Sequence, residues 1–160
     1  MVRMHIKKLA SSRVVTLPPE GSIVDAARVM REKHVGSVVI VGTDERPVGI
    51  VTDRDIVVEV VAQAPAEVSK VELRDLCTND LLVAIEDEDL ETVLARMRRH
   101  GVRRMPVVDR AGKLRGLFSL DDALGAIAEE LGSVASLLRT ERVREDARRG
   151  SGAYSGRRSA

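Results

Sequence analysis

Aromatic side chains are almost missing from this chain of 160 residues: Phe118 and Tyr154 are the only two, and there is no tryptophan. Any core must therefore be assembled from Val, Leu, Ile, Ala and Met. Single-stranded nucleic acid, which proteins hold by stacking bases on aromatic platforms, is a poor fit as a ligand. Cysteine is scarcer still. Cys77 stands alone, which excludes an intramolecular disulfide and a cysteine-based zinc cluster. No stretch approaches the roughly 20 apolar residues of a membrane helix, and the opening, with Arg3, Lys7 and Lys8, lacks the apolar run of a signal peptide. The expected location is the cytoplasm. Net charge is only +1, but it is unevenly spread: residues 139–160 hold seven Arg against three acids, +4, which leaves −3 on the rest. A slightly acidic body is a poor general binder of DNA.

Catalytic signatures are absent too. There is no Gly-rich dinucleotide fingerprint, no Walker lysine loop and no His-Glu-x-x-His pair, so neither a catalytic set nor a metal site is expected. His34 and His100 fall at the ends of matching helical segments, where an imidazolium favours the C-terminal dipole. His5 has no recognisable partner in the sequence. Cys77 lies in no nucleophile elbow and reads as a buried structural thiol. The pairs Asp53/Asp55 and Asp121/Asp122 suit helix N-terminal charge, or a divalent ion accompanying a phosphate.

What the chain does have is one motif written twice. Gly49-Ile50-Val51-Thr52-Asp53-Arg54-Asp55 ends an apolar strand and opens a helix, and Gly116-Leu117-Phe118-Ser119-Leu120-Asp121-Asp122 does so again 67 residues later (116 minus 49). In each, a hydroxyl residue, Thr52 or Ser119, is followed three positions on by Asp55 or Asp122, the spacing of a capping box. Such a turn satisfies the orphan N–H groups of the first helical turn. The same N–H groups, dipole end and side chains also suit the ribose and phosphate of a nucleotide. Capping alone explains either copy singly; the extent of the surrounding repeat favours the second use.

That repeat runs over about fifty positions. Val14–Leu17 reads as a short strand stopped by Pro18 and Pro19. Ser22 is a candidate N-cap with Asp25 three residues on, and Ile23, Ala26, Ala27 and Met30 form one helix face that ends by Gly36. Residues 37–41 are a strand buried on both faces, 48–51 complete a hairpin, and residues 53–64 form a helix stopped by Pro65. At the same offset come Leu82–Ile85, Asp89 as N-cap, the face Leu90, Val93, Leu94 and Met97, the strand 105–108, a turn with Gly112, and the strand 115–119. The final helix runs on through Leu124, Ile127, Leu131, Val134, Leu137 and Leu138, more apolar surface than one face buries. Contact with a second chain and packing within the same chain both account for it, and Gly132-Ser133 is a point at which it could bend.

These residues resemble a tandem pair of cystathionine-β-synthase (CBS) domains, over roughly residues 8–130. The resemblance is carried by Ser22–Ala27 with Met30, Val35–Val41 and Gly49–Asp55, and by Leu90–Met97, Val102–Val108 and Gly116–Asp122. It implies an α/β (α+β) fold of two β-α-β-β-α repeats packed sheet to sheet about a pseudo-two-fold. The expected boundaries are 1–65, 66–138 with an extended C-terminal helix, and an Arg-rich, largely disordered tail at 139–160. It also implies that AMP, ADP, ATP or S-adenosylmethionine binds between the repeats, and that modules pair into homodimers. The ribose and phosphate residues would be Thr52, Asp55, Ser119 and Asp122, with Ser11 and Thr78 as the polar positions ahead of each first strand. Adenine would lie among Val14, Val15, Leu82 and Val83.

The halves differ where the second has Arg103-Arg104 and the first has Gly36-Ser37. Two arginines beside a helix N-terminus supply charge-assisted phosphate contacts, so the site of Ser119, Asp122, Arg103 and Arg104 is expected to be the stronger and that of Ser37 the weaker. Read as surface residues, the arginines would instead pair with nearby acids. The expected function is a non-catalytic ligand sensor that signals to a partner protein by changing shape. The alternatives are a ligand-free interaction or dimerisation protein, and salt-sensitive nucleic-acid binding through the Arg-rich tail.

Overall fold

The computed structural model describes residues 4–63, 65–77 and 80–152. It divides into two compact units, residues 1–122 and residues from 123 onward. The first unit holds two three-stranded sheets. One is built from β1 (Thr16–Leu17), β2 (Ser37–Val41) and β3 (Pro47–Thr52), the other from β4 (Ala84–Ile85), β5 (Arg104–Val108) and β6 (Leu114–Ser119). In each, the short first strand is parallel to the central one and the third is antiparallel to it, with matching registers: Thr16 opposite Val39, Ala84 opposite Val107. Helices α1 (Ile23–Lys33) and α3 (Leu90–His100) join the first two strands of each repeat. The mixed α/β fold of two repeats is thus the one expected.

The core follows from strand alternation. Val38 and Ile40 of β2 join Ile23, Ala26 and Met30 of α1 with Val51, Ile56 and Val60 in one cluster. Val39, which points to the opposite face, is fully buried as well. Its counterpart Pro106 is equally enclosed, as is Val107 on the other face of that strand. Burial of both faces is what sheets packed against each other require, and it accounts for the near-continuous apolar runs.

Helix starts are fixed locally. Ser22 accepts from the Asp25 N–H at 3.1 Å and the Asp25 carboxylate accepts from the Ser22 N–H, a complete capping box. Asp89 occupies the matching position, where its side chain makes no cap bond and lies 3.7 Å from His5 Nδ1. The two helices end on left-handed residues at the same offset, His34 (φ 53°) and Gly101 (φ 66°), so α1 ends at Lys33 with His34, not Gly36, making the turn. After Thr52 the chain makes one α-turn, α2 (Asp53–Asp55), and then winds as a π-helix from Ile56 to Val61. Five of those six residues are β-branched, which crowds the tighter α-turn. The second repeat has only Ile127 of that kind over the equivalent stretch and stays α-helical, opening α4 (Leu120–Gly152).

Helix α4 departs from expectation at its far end. The Arg-rich stretch from Arg139 is helical as far as Gly152, because Leu, Arg, Glu and Ala carry high helix propensity that outweighs Gly132. Residues 153–160 lie outside the described residues. Among those described, no helix is long and apolar enough to cross a membrane.

One feature escaped the periodicity. The lead-in of each repeat docks on the other repeat. Ile6 N–H donates to Glu88 O (2.9 Å) and Lys7 N–H to Glu86 O (3.1 Å); at the 67-residue offset, Leu73 N–H donates to Gly21 O (2.8 Å) and Arg74 N–H to Pro19 O (3.0 Å). Ile6 and Leu73 are both fully buried. These reciprocal contacts express the pseudo-two-fold directly.

Candidate functional site

Both duplicated turns form closed capping boxes of the same geometry. Asp55 Oδ2 accepts from the Thr52 N–H (2.8 Å) and hydroxyl (2.7 Å), while the Asp55 N–H donates to Thr52 Oγ1 (3.2 Å). Asp122 Oδ2 accepts from the Ser119 N–H (2.7 Å) and hydroxyl (2.6 Å), and the Asp122 N–H donates to Ser119 Oγ (3.2 Å). In each aspartate the cap takes up one oxygen, Oδ2. Capping and ligand binding are therefore compatible in one carboxylate.

Pairing decides which further residues join each turn. Ser11 and Leu117 exchange both backbone hydrogen bonds, at 3.0 and 2.9 Å. Directly opposed residues share a sheet face, and alternation puts Leu117 and Ser119 on the same face. Ser11 of the first repeat thus belongs with Ser119 and Asp122 of the second. Ser37, 6% exposed, stands opposite Thr52, and Arg104 stands opposite Ser119. Thr78 lies outside the described residues. Val14, Val15, Leu82 and Val83 are half-buried, Val15 by packing against the core cluster of the first repeat.

The arginine pair separates. Arg103 is exposed, and its carbonyl accepts from the Leu120 N–H at the turn (2.9 Å). Arg104 sends its guanidinium across to the first repeat, where a Cβ added at Gly36 would stand 3.4 Å from both Arg104 Nη2 and Asp53 Oδ2. Its backbone is at one turn and its charge beside the other. Sequence spacing alone assigns Arg104 to the Ser119 turn; only the packing of the repeats reveals its reach.

A cleft of about 700 Å³ opens near the hairpin tips, lined from both repeats by Arg46, Val48, Arg74, Cys77, Leu81 and Val83 among others. None of Thr52, Asp55, Ser119 and Asp122 lines it. Val48 is on the same face of β3 as Thr52, four residues and so about 13 Å away. The arginines here already have partners: Arg74 lies 2.6 Å from Glu72 and 3.5 Å from Glu20, Arg46 lies 3.4 Å from Asp44. The Cys77 thiol donates to Leu73 O (3.4 Å), and burial pushes its pKa up, against a role as nucleophile. His5 Nδ1 meets Asp87 O at 2.8 Å, a partner its sequence context did not reveal. No cluster of His, Cys, Asp or Glu among the described residues is arranged to hold a metal ion.

Comparison with known proteins yields one consistent pattern. The family described as CBS domain matches residues 6–62 and 73–129. An uncharacterized protein of Methanopyrus kandleri is 36% identical over 126 residues, 78% of this chain and 63% of that protein, just under two thirds of its length. The inosine-5′-monophosphate dehydrogenase of Methanocaldococcus jannaschii is 31% identical over 111 residues, 69% of this chain but only 21% of the enzyme. Among solved structures, a CBS domain protein from Pyrobaculum aerophilum complexed with AMP superposes with a TM-score of 0.70 at 28% identity, covering 81% of this chain and 99% of that one.

Proposed function

The chain belongs to the CBS domain family, and from that premise we propose that it is a non-catalytic, cytoplasmic sensor of an adenosine-containing ligand that signals to a partner protein by changing shape. The observation that carries this reading is the backbone pairing of Ser11 with Leu117, which joins the first repeat to the strand that ends in the Ser119–Asp122 turn of the second. A site assembled from both halves is sensitive to the angle between them. Asp122, with Oδ2 committed to the cap, would offer its remaining oxygen to a ribose diol; Ser11, Ser119 and Arg103 would flank the phosphate. The second site would use Thr52, Asp55, Ser37 and Thr78, and Arg104, lying by Asp53, would serve it as well. AMP, ADP, ATP and S-adenosylmethionine are the candidate ligands. The AMP held by the Pyrobaculum aerophilum protein supports the first. Differential affinity of the ligand for two shapes would be the whole mechanism.

The test is calorimetric titration of the four ligands into the wild-type chain, Asp122→Ala and Asp55→Ala. Losing a charged acceptor removes about 1.5–3 kcal/mol, so Asp122→Ala should weaken the main site by roughly 10- to 150-fold. A melting curve separates this from the lost cap, which costs about 0.5–2 kcal/mol. Silence from all four ligands would refute the proposal and leave a ligand-free interaction protein.

A further inference from the structure

Polar groups from both repeats are left over beside the Thr52 turn, and they gather around Gly36. Arg104 is half-buried, yet among the described residues its guanidinium closes no ion pair and makes no hydrogen bond. Ser37 is 6% exposed and shares a sheet face with Thr52, opposite it, and its hydroxyl has no hydrogen bond among those residues either. Asp53 Oδ1 accepts from the Arg54 N–H (2.8 Å), while Oδ2 has no donor among them. Because a Cβ at Gly36 would stand 3.4 Å from both Arg104 Nη2 and Asp53 Oδ2, cation and anion flank one opening without closing on each other. A half-buried guanidinium and a buried hydroxyl left unpaired are costly, and a bound group would remove that cost.

The second repeat builds the same frame with other charges. Asp53 N–H donates to Gly36 O (3.2 Å), and at the 67-residue offset Leu120 N–H donates to Arg103 O (2.9 Å). Leucine thus stands where the first turn has aspartate, and the exposed Arg103 stands where it has glycine. A guanidinium with no carboxylate at that facing position suits a phosphate. At the Thr52 turn a phosphate would meet Asp53 as well as Arg104, and the repulsion offsets the attraction. A group that carries both signs meets no such conflict: its carboxylate pairs with Arg104 and its ammonium with Asp53. We propose that Asp53 is a specificity-determining residue. It makes the Thr52 turn selective for a ligand bearing a zwitterionic α-amino-acid group, held by Asp53, Arg104 and Ser37, and leaves phosphate to the Ser119 turn. This rests on the adenosine-site reading above and adds the charge class that each turn accepts.

Calorimetry of the full chain with S-adenosylhomocysteine, 5′-methylthioadenosine, AMP and free methionine tests it. The first has the zwitterion without a sulfonium charge, the second lacks the amino-acid group, and methionine lacks the adenosine. S-adenosylhomocysteine should bind roughly 10- to 150-fold more tightly than 5′-methylthioadenosine, the ratio of one charge-assisted contact. Asp53→Leu, which copies the second turn, should remove most of that ratio and admit AMP at both turns. Asp122→Ala should lose AMP and keep S-adenosylhomocysteine. Gly36→Ala, whose Cβ meets its neighbours at ordinary contact distance, should keep the far-UV circular dichroism of the wild type and weaken S-adenosylhomocysteine. A ratio unchanged in folded Asp53→Leu would overturn the inference, as would AMP filling both turns of the wild type or methionine binding as tightly as S-adenosylhomocysteine. Silence from all three adenosine ligands would take down the sensor reading and this inference with it, whereas a ratio indifferent to residue 53 takes down the inference alone.

Discussion

Gly49 offers a sharp test of the crossed lead-ins, because it sits in β3 of the first repeat against Cys77 at the head of the second. A Cβ at Gly49 would stand 2.3 Å from Cys77 Sγ and 3.2 Å from Cys77 Cβ. Rotation about χ1 relieves the first contact but not the second. Alanine there should therefore destabilise by about 1–3 kcal/mol through overpacking, less about 0.4–1 kcal/mol for a stiffer unfolded chain. Cys77→Gly removes both the half-buried sulfur and the Cβ that alanine at 49 would meet, and alone should cost about 1–2.5 kcal/mol. Because it takes away both contacts, the double variant should be no less stable than Gly49→Ala, a coupling of about 1 kcal/mol or more. Urea unfolding followed by far-UV circular dichroism suits a chain without tryptophan. Additivity of the two changes within about 0.5 kcal/mol would show that the residues do not meet and that the crossed arrangement is wrong.

Acid sensitivity should centre partly on Glu88. Burial opposes its ionisation, but the Arg96 guanidinium and the Ile85 N–H (2.8 Å) outweigh that and hold its carboxyl below the usual value of 4.5. A depressed folded pKa contributes stability that is fully present above 4.5 and is lost as the pH falls through the folded value. The urea midpoint should thus drop below about pH 4.5, and Glu88→Gln should shallow that drop; identical pH profiles would contradict the assignment. Asp25, Asp87, Asp109 and Glu45, also depressed by hydrogen bonds, leave a residual slope in the variant. At the end of α1, His34→Gly should raise stability by about 1 kcal/mol, since a left-handed position strains a side chain there and Gly101 already fills its counterpart. A lower melting temperature would mean that His34 makes a contact worth more than the strain.

The strands, the helix faces and the capping boxes at Ser22, Thr52 and Ser119 were legible because each is a local pattern, and the 67-residue offset then assigned the second half from the first; a fourth box, Glu72 with Asp75, has a carboxylate in place of the hydroxyl and was not. What was not legible depended on distance. Ile6 stands in a mixed, basic stretch without a period to announce it, and its backbone docks on Glu88, 82 residues away. Its one available signal was Leu73 at the same offset. The π-helix at Ile56–Val61 reads as ordinary helix by hydrophobic spacing, and only the run of β-branched side chains hints otherwise. Spacing likewise puts Arg104 beside Ser119, whereas a long side chain can carry its charge to the neighbouring repeat.

The crossing of the lead-ins also orders events in time. As the chain leaves the ribosome, Ile6 and Ser11 emerge early, yet their partners Glu88 and Leu117 are made only 82 and 106 residues later. At about 5–20 residues per second, Ser11 waits roughly 5–20 s for Leu117. Throughout that interval the first repeat can assemble β1, β2, β3 and α1 but leaves its own head unattached, and Gly49 stays bare until Cys77 arrives. A nascent chain halted after the first repeat should be an open, protease-sensitive species, and only synthesis through β6 would close both halves together.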